Sequence, residues 1–206
     1  MDTIVDHIRK HTLKRYLIGI DLECTCWPAE MVGAPDRMER EVIEIGLAAI
    51  DMEKLEIVGT HSVLIKPEHH PVLSEFCTSL TTITNEMLEC APLFPEGLDQ
   101  AMGWLSKFNE DYAWCSWGMF DLHHLQHESH RKGVELGLRS TLHFNAKTLY
   151  SQSHPRLKRR GMKSALDHEG VKLAGTHHRG VDDATNMARL IIHEQGARQA
   201  SRGAKS

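Results

Sequence analysis

The stretch Tyr16-Leu17-Ile18-Gly19-Ile20-Asp21-Leu22-Glu23 decides how the chain is read. Its first five residues are a short apolar run suited to a strand, and the run continues into two acids separated by one residue. Successive side chains on a strand leave opposite faces, so Asp21 and Glu23 share one face while Leu22 points to the other. Two such carboxylates repel each other, and burial raises their pKa values unless a cation compensates. A divalent metal is the natural compensation. For an isolated Asp-x-Glu, two unrelated acids on an exposed strand are the commoner explanation.

Outward from this run, Val42–Ile50 and Ile57–Lys66 are two further β-rich segments, with Asp51-Met52-Glu53-Lys54 placed to turn the chain between them. The three runs predict an antiparallel meander. Helical patterns follow: Thr84 can cap Asn85–Leu88, and Pro95 suits the first turn of a helix reaching about Phe108. Ala113–Trp117 reads as a buried strand broken by Gly118, Phe120–Arg131 as a helix, and Val181–His193 as an amphipathic helix. Asp121 falls at the strand-to-helix junction. Strands, then alternating strands and helices, predict an α/β domain with a mixed sheet flanked by helices. The expected organisation is a helical N-terminal extension over residues 1–15, a main domain over 16–195 and a flexible polar tail over 196–206.

A chain of 206 residues can bury one proper core. No apolar run approaches the roughly 18 residues that cross a bilayer, and Met1–Lys10 lacks the apolar stretch of a secretory signal, so a cytoplasmic location without membrane contact is expected. The five cysteines (Cys24, Cys26, Cys77, Cys90 and Cys115) have no paired C-x-x-C spacing and read as reduced thiols, neither a disulfide framework nor a zinc site. A net charge of −4 argues against coating nucleic acid by bulk attraction. Contacts of that kind fall to local clusters, of which Lys158-Arg159-Arg160, supported by Lys163 and Arg131-Lys132, is the best; such runs are most often solvated loops.

The segment His177-His178-Arg179-Gly180-Val181-Asp182-Asp183 sets a histidine five residues before an acid that opens a helix, in two competing registers. Asp183 shares its helix face with Met187 and Leu190, whereas Asp182 shares its face with Asn186 and Arg189. The apolar face turns inward, so Asp183 is expected at the site, Asp182 in water, and His178 as the working histidine. Asp121 alone would be explained as a first-turn acid favoured by the helix macrodipole.

In order and spacing, Asp21-x-Glu23, Asp121 and His178-x4-Asp183 resemble the DEDDh family of 3′→5′ exonucleases over nearly the whole chain. The sister class with tyrosine four residues before the last acid is excluded, because Arg179 stands there. Ile20–Cys26, Glu41–Gly46, Phe76–Thr84 and His178–Asp183 look most like the Eri-1-like exoribonucleases, Phe76–Thr84 being the most discriminating stretch. This resemblance implies an RNase H-like sheet and two Mg²⁺ or Mn²⁺ ions held by Asp21, Glu23, Asp121 and Asp183, with Asp21 touching both. Metals ~4 Å apart suit an in-line displacement that releases nucleoside 5′-monophosphates, and hard cations prefer oxygen ligands. His178 is then the general base, since an imidazole titrating near 6.5 takes a proton near neutral pH. Single-stranded or 3′-overhang RNA is the implied partner, with DNA as the alternative and a non-catalytic RNA-binding module as a further one. Phe120, Leu22, Cys24 and Trp27 are candidate surfaces for splayed bases, and Lys158, Arg159 and Arg160 for the backbone. Glu41 and Glu44 read as supporting acids, Glu44 being placed on an apolar strand where it can orient a ligand.

Overall fold

The computed structural model describes residues 2–155, 157 and 161–203. Five strands form one sheet in the order β3-β2-β1-β4-β5. Strands β1 (Tyr16–Cys24), β2 (Val42–Asp51) and β3 (Glu56–Leu64) make the antiparallel meander. Asp51 closes its second turn, its Oδ1 accepting from Glu53 N and Lys54 N at 3.0 and 3.2 Å. Strands β4 (Tyr112–Ser116) and β5 (His143–Asn145) run parallel to β1 on its other side. The sheet is therefore mixed, with the fold class expected from the sequence.

The alternation of side chains sorts the core into two layers. From β1 and β2, Ile18, Ile20, Leu22, Ile45, Leu47 and Ala49 pack against α4 (Phe94–Leu105) and α5 (Phe120–Lys132). Leu17, Ala48 and Ile50 face the other way, toward α8 (Gly180–Gly203) and the shorter helices α1 (Ile4–His11), α6 (Ala146–Ser153) and α7 (Met162–Glu169). With helices on both faces, all ten residues of β2 are buried, as a central strand requires. A third cluster joins Cys26 and Ile43 to α2 (Glu75–Thr81) and α3 (Asn85–Leu88), the latter capped by Thr84.

Three features depart from the sequence reading. Helix α1 is the helix expected within residues 1–15, but it buries Ile4, Val5 and Ile8 completely in the α8-side core. Helix α8 does not stop at His193 but continues to Gly203, because Glu194 and Gln195 bond to α1 and its cap, Glu194 Oε2 accepting from Ile4 N at 3.0 Å. The Asp182–Asn186 face is covered as well: Asn186 is fully buried and bonds both its amide groups to Ala174, and Asp182 accepts from Thr176 N at 2.8 Å. The segment before α8 folds back over that face, which local periodicity does not report. Among the described residues no helix is long and apolar enough to cross a membrane, and the five cysteines are free, four of them buried.

Candidate active site

The face of β1 that looks toward α8 carries Leu17, then Gly19, then Asp21 and Glu23. The change from apolar to acidic occurs where β1 outruns its parallel neighbour, since β4 pairs only as far as Gly19 with Cys115. Beyond that point the Leu22 N–H needs another acceptor. Asp121 Oδ1 provides it at 3.2 Å. Asp121 is brought there by the break at Gly118 (φ +140°) and the first turn of α5.

Asp183 comes from the first turn of α8 and is only 4% exposed. Ligand oxygens of Asp21, Glu23 and Asp183 lie within 4.8 Å of one another. Asp121 joins them electrostatically as well as through Leu22. Burial, reinforced by the charges of Asp121, Glu23, Asp183 and Glu44, pushes Asp21 well above the usual carboxylate range. Glu23 is pushed up to about 8, first by burial and then by Asp183 and Glu44. Burial raises Asp121 to about 6 against the lowering effect of the Leu22 N–H. Acids this close stay protonated or take up a cation, and an all-oxygen set of several carboxylates suits hard Mg²⁺ or Mn²⁺.

Both histidines adjoin Asp183. His178 N donates to Asp183 Oδ2 at 3.1 Å, while His177 Nδ1 lies 3.0 and 3.1 Å from the two carboxylate oxygens. The two rings stack with centroids 4.0 Å apart. The ring bonded to Asp183 is thus that of His177, which the sequence reading set aside, and the His178 ring is left free of that bond. Burial, and next the charge of His177, lower the His178 pKa although Asp183 opposes them.

The candidate substrate surfaces differ among themselves. Leu22 and Cys24 are nearly buried in the core layer under α5. Phe120 is half-buried beside Asp121, with the Arg37 guanidinium 4.2 Å from its ring centre and His124 stacked against it. Trp27 is half-buried edge-on against His70. Lys158, Arg159 and Arg160 lie outside the described residues. Phe76, the first residue of the stretch that carries the resemblance most specifically, is 40% exposed. The next residue of its helix, Cys77, sets its sulfur against the Cys24 carbonyl, so α2 borders the acids.

Glu44, expected as a supporting acid, is bonded to the backbone and side chain that follow the histidines. Directly opposite Glu23 in the sheet, it bonds Arg179 and Gly180. Glu41 accepts three backbone N–H groups from residues 68–70 at 2.8–2.9 Å, a purely structural role.

An RNase H-like mixed sheet with four acids gathered at the ends of its parallel strands defines a nuclease domain of the DEDDh class, which depends on divalent metal. The chain belongs to the RNase T exonuclease family, whose model matches residues 18–191. It is 25% identical over 214 residues to the 3′-5′ exonuclease eri1 of Schizosaccharomyces pombe, covering 87% of this chain and 68% of that one. With human 3′-5′ exoribonuclease 1 it shares 28% identity over 186 residues, covering 86% of this chain and 51% of the relative. Its structure matches the nuclease domain of 3′hExo bound to rAMP with a TM-score of 0.80 and 25% identity, covering 90% of this chain and 94% of that domain.

Proposed function

We propose that the chain is an exoribonuclease that removes nucleoside 5′-monophosphates singly from the 3′ end of single-stranded or overhanging RNA. The observation that carries the proposal is the meeting of Asp21, Glu23 and Asp183 oxygens within 4.8 Å, with Asp121 bonded beside them. The names of the relatives support RNA over DNA.

Asp21, Glu23, Asp121 and Asp183 would hold two Mg²⁺ or Mn²⁺ ions. Such ions supply charge stabilisation for attacking and leaving oxygens. The protein's own part is orientation and proton transfer. His178, its pKa lowered by burial, is neutral near pH 7 and accepts the proton of the attacking water. Asp183 holds the histidine loop through the His178 N–H and orients the adjoining His177 ring. Phe120 and Phe76 offer faces for the terminal bases.

The test is a time course on 5′-labelled 3′-overhang RNA and its DNA equivalent with Mg²⁺, Mn²⁺ or EDTA, comparing the wild type with Asp21→Ala. A metal-dependent RNA ladder shortening from the 3′ end and absent in the variant is expected. Faster decay of DNA would overturn the RNA preference, and no decay of either would overturn the catalytic reading.

A further inference from the structure

We propose that Glu44 and Arg179 are positioning residues for His178, forming a buried clamp that fixes the loop presenting the histidine to the reacting phosphate. The inference rests on the reading of His178 as the general base.

Glu44 is fully buried, although its charge faces Glu23 across the sheet and adds to the repulsion felt by Asp21 and Glu23. A carboxylate in that position is retained only where its lone pairs are engaged. Its Oε2 accepts from Gly180 N at 2.9 Å and Arg179 Nε at 3.1 Å. Its Oε1 accepts from Ser62 Oγ at 2.7 Å and more weakly from Arg179 Nη2 at 3.4 Å. Three of these four contacts go to the two residues that follow His178. The Ser62 bond ties the acid to β3, so the loop is referenced to two strands of the sheet.

The loop needs such a hold. His178 sits at φ +66°, a left-handed conformation that a non-glycine residue adopts only when its surroundings enforce it. On one side of it, Thr176 N is bound by Asp182, and His178 N is bound by Asp183. Asp183 is also one of the clustered acids, so its hold on the loop is shared with that role. Glu44 has no such second role and grips the opposite side. Gly180 completes the seat: a Cβ there would come within 3.0 Å of the Asp21 carbonyl and 3.1 Å of Gly46 N, so the loop lies directly on the sheet.

Because misplacing a reacting group by an ångström costs orders of magnitude in rate, releasing one side of the loop should lower kcat and leave substrate binding alone. The experiment is a double-mutant cycle of Glu44→Gln with His178→Ala in the full chain, read as kcat and KM on 3′-overhang RNA, with the Mn²⁺ concentration for half-maximal activity and the melting temperature measured for each variant. Glu44→Gln should reduce kcat at saturating Mn²⁺ about tenfold or more with KM within about twofold, and should cause no further loss in the His178→Ala background. Arg179→Met should reproduce the effect without adding to it, and it serves as the test if Glu44→Gln does not fold. Arg179→Lys, which keeps the charge but not the forked geometry, should recover only part of the rate. An equal fractional loss in both histidine backgrounds would overturn the clamp. Undiminished activity of His178→Ala would instead overturn the general-base reading, and with it the need for a clamp.

Discussion

Stripping divalent cations while raising the pH should loosen the domain from its active site outward. The Glu23 carboxyl, 8% exposed, is pushed from 4.5 to about 8 by burial and then by Asp183 and Glu44. An acid whose folded pKa lies above its unfolded value stabilises the fold fully below the unfolded value, and that contribution is lost as pH rises through the folded value. The affected window therefore opens near pH 4.5 and closes just above pH 8. At about 1.4 kcal/mol per tenfold change, complete ionisation of Glu23 alone costs about 5 kcal/mol, comparable with the whole folding free energy of a domain. About 3 kcal/mol of it falls between roughly pH 6 and pH 9, which for a domain of this size lowers the melting temperature by about 5–10 °C. Bound cations offset the repulsion, because they favour the ionised carboxylates. Thermal melts in EDTA and in saturating Mg²⁺ at the two pH values, on the wild type and Glu23→Gln, measure the effect. The wild type in EDTA should lose stability with pH, Mg²⁺ should restore it most at high pH, and Glu23→Gln should lose part of the pH dependence, the rest residing in Asp21, which burial also raises. A metal-free melting temperature that is flat or rises across the window, or a Mg²⁺ effect equal at both ends, would refute the reasoning.

Gly46→Ala should disable the enzyme: the new Cβ would fall inside the Gly180–Val181 backbone, which must retreat by about 1 Å, enough to cost about 100-fold in kcat. Single-turnover rates on labelled RNA check this, and a wild-type rate would show that the histidine loop tolerates displacement. Ile8→Ala should cost about 2–5 kcal/mol in urea unfolding, because Ile8 is completely buried between α1 and the α8-side core. A loss under about 1 kcal/mol would show that α1 is dispensable to the core.

What local periodicity could report, it reported. The alternation through Tyr16–Glu23 put Asp21 and Glu23 on one face and Leu22 on the other, and the structure has Leu22 in the α5-side layer while the two acids meet Asp183. The Met187 and Leu190 stripe turned Asp183 inward for the same reason: a helix face is a property of neighbours three and four apart, and both residues are fully buried. Elements whose stability is tertiary were illegible. Strand β5 has three residues and α6 and α7 eight each, too short for a period to declare itself, and they exist by packing on β4 and α8. Contacts between distant segments were equally hidden. Nothing near Glu44 announces that its partners stand 135 and 136 positions later, and nothing in His177-His178 says which ring lies against Asp183.

The acids were easier to find than the reason they can meet. A carboxylate reaches only a short way from its backbone, so four acids from β1, α5 and α8 converge only if those backbones approach unusually closely. Gly19, Gly46 and Gly180 permit this on the α8 side. A Cβ at Gly19 would lie 3.1 Å from Met187 Cε and 3.3 Å from the Ala184 carbonyl, and one at Gly46 would collide with Gly180 and Val181. The first turn of α8 is therefore laid on bare strand backbone immediately beside Asp21, which faces Gly46 in the sheet register. The same three positions that bring Asp183 to Asp21 and Glu23 also bring Gly180 within reach of Glu44, so the separation of the acids and the seating of the histidine loop are one structural decision. Any side chain added along that contact would displace both together, and no rearrangement of the acids alone would recover the site.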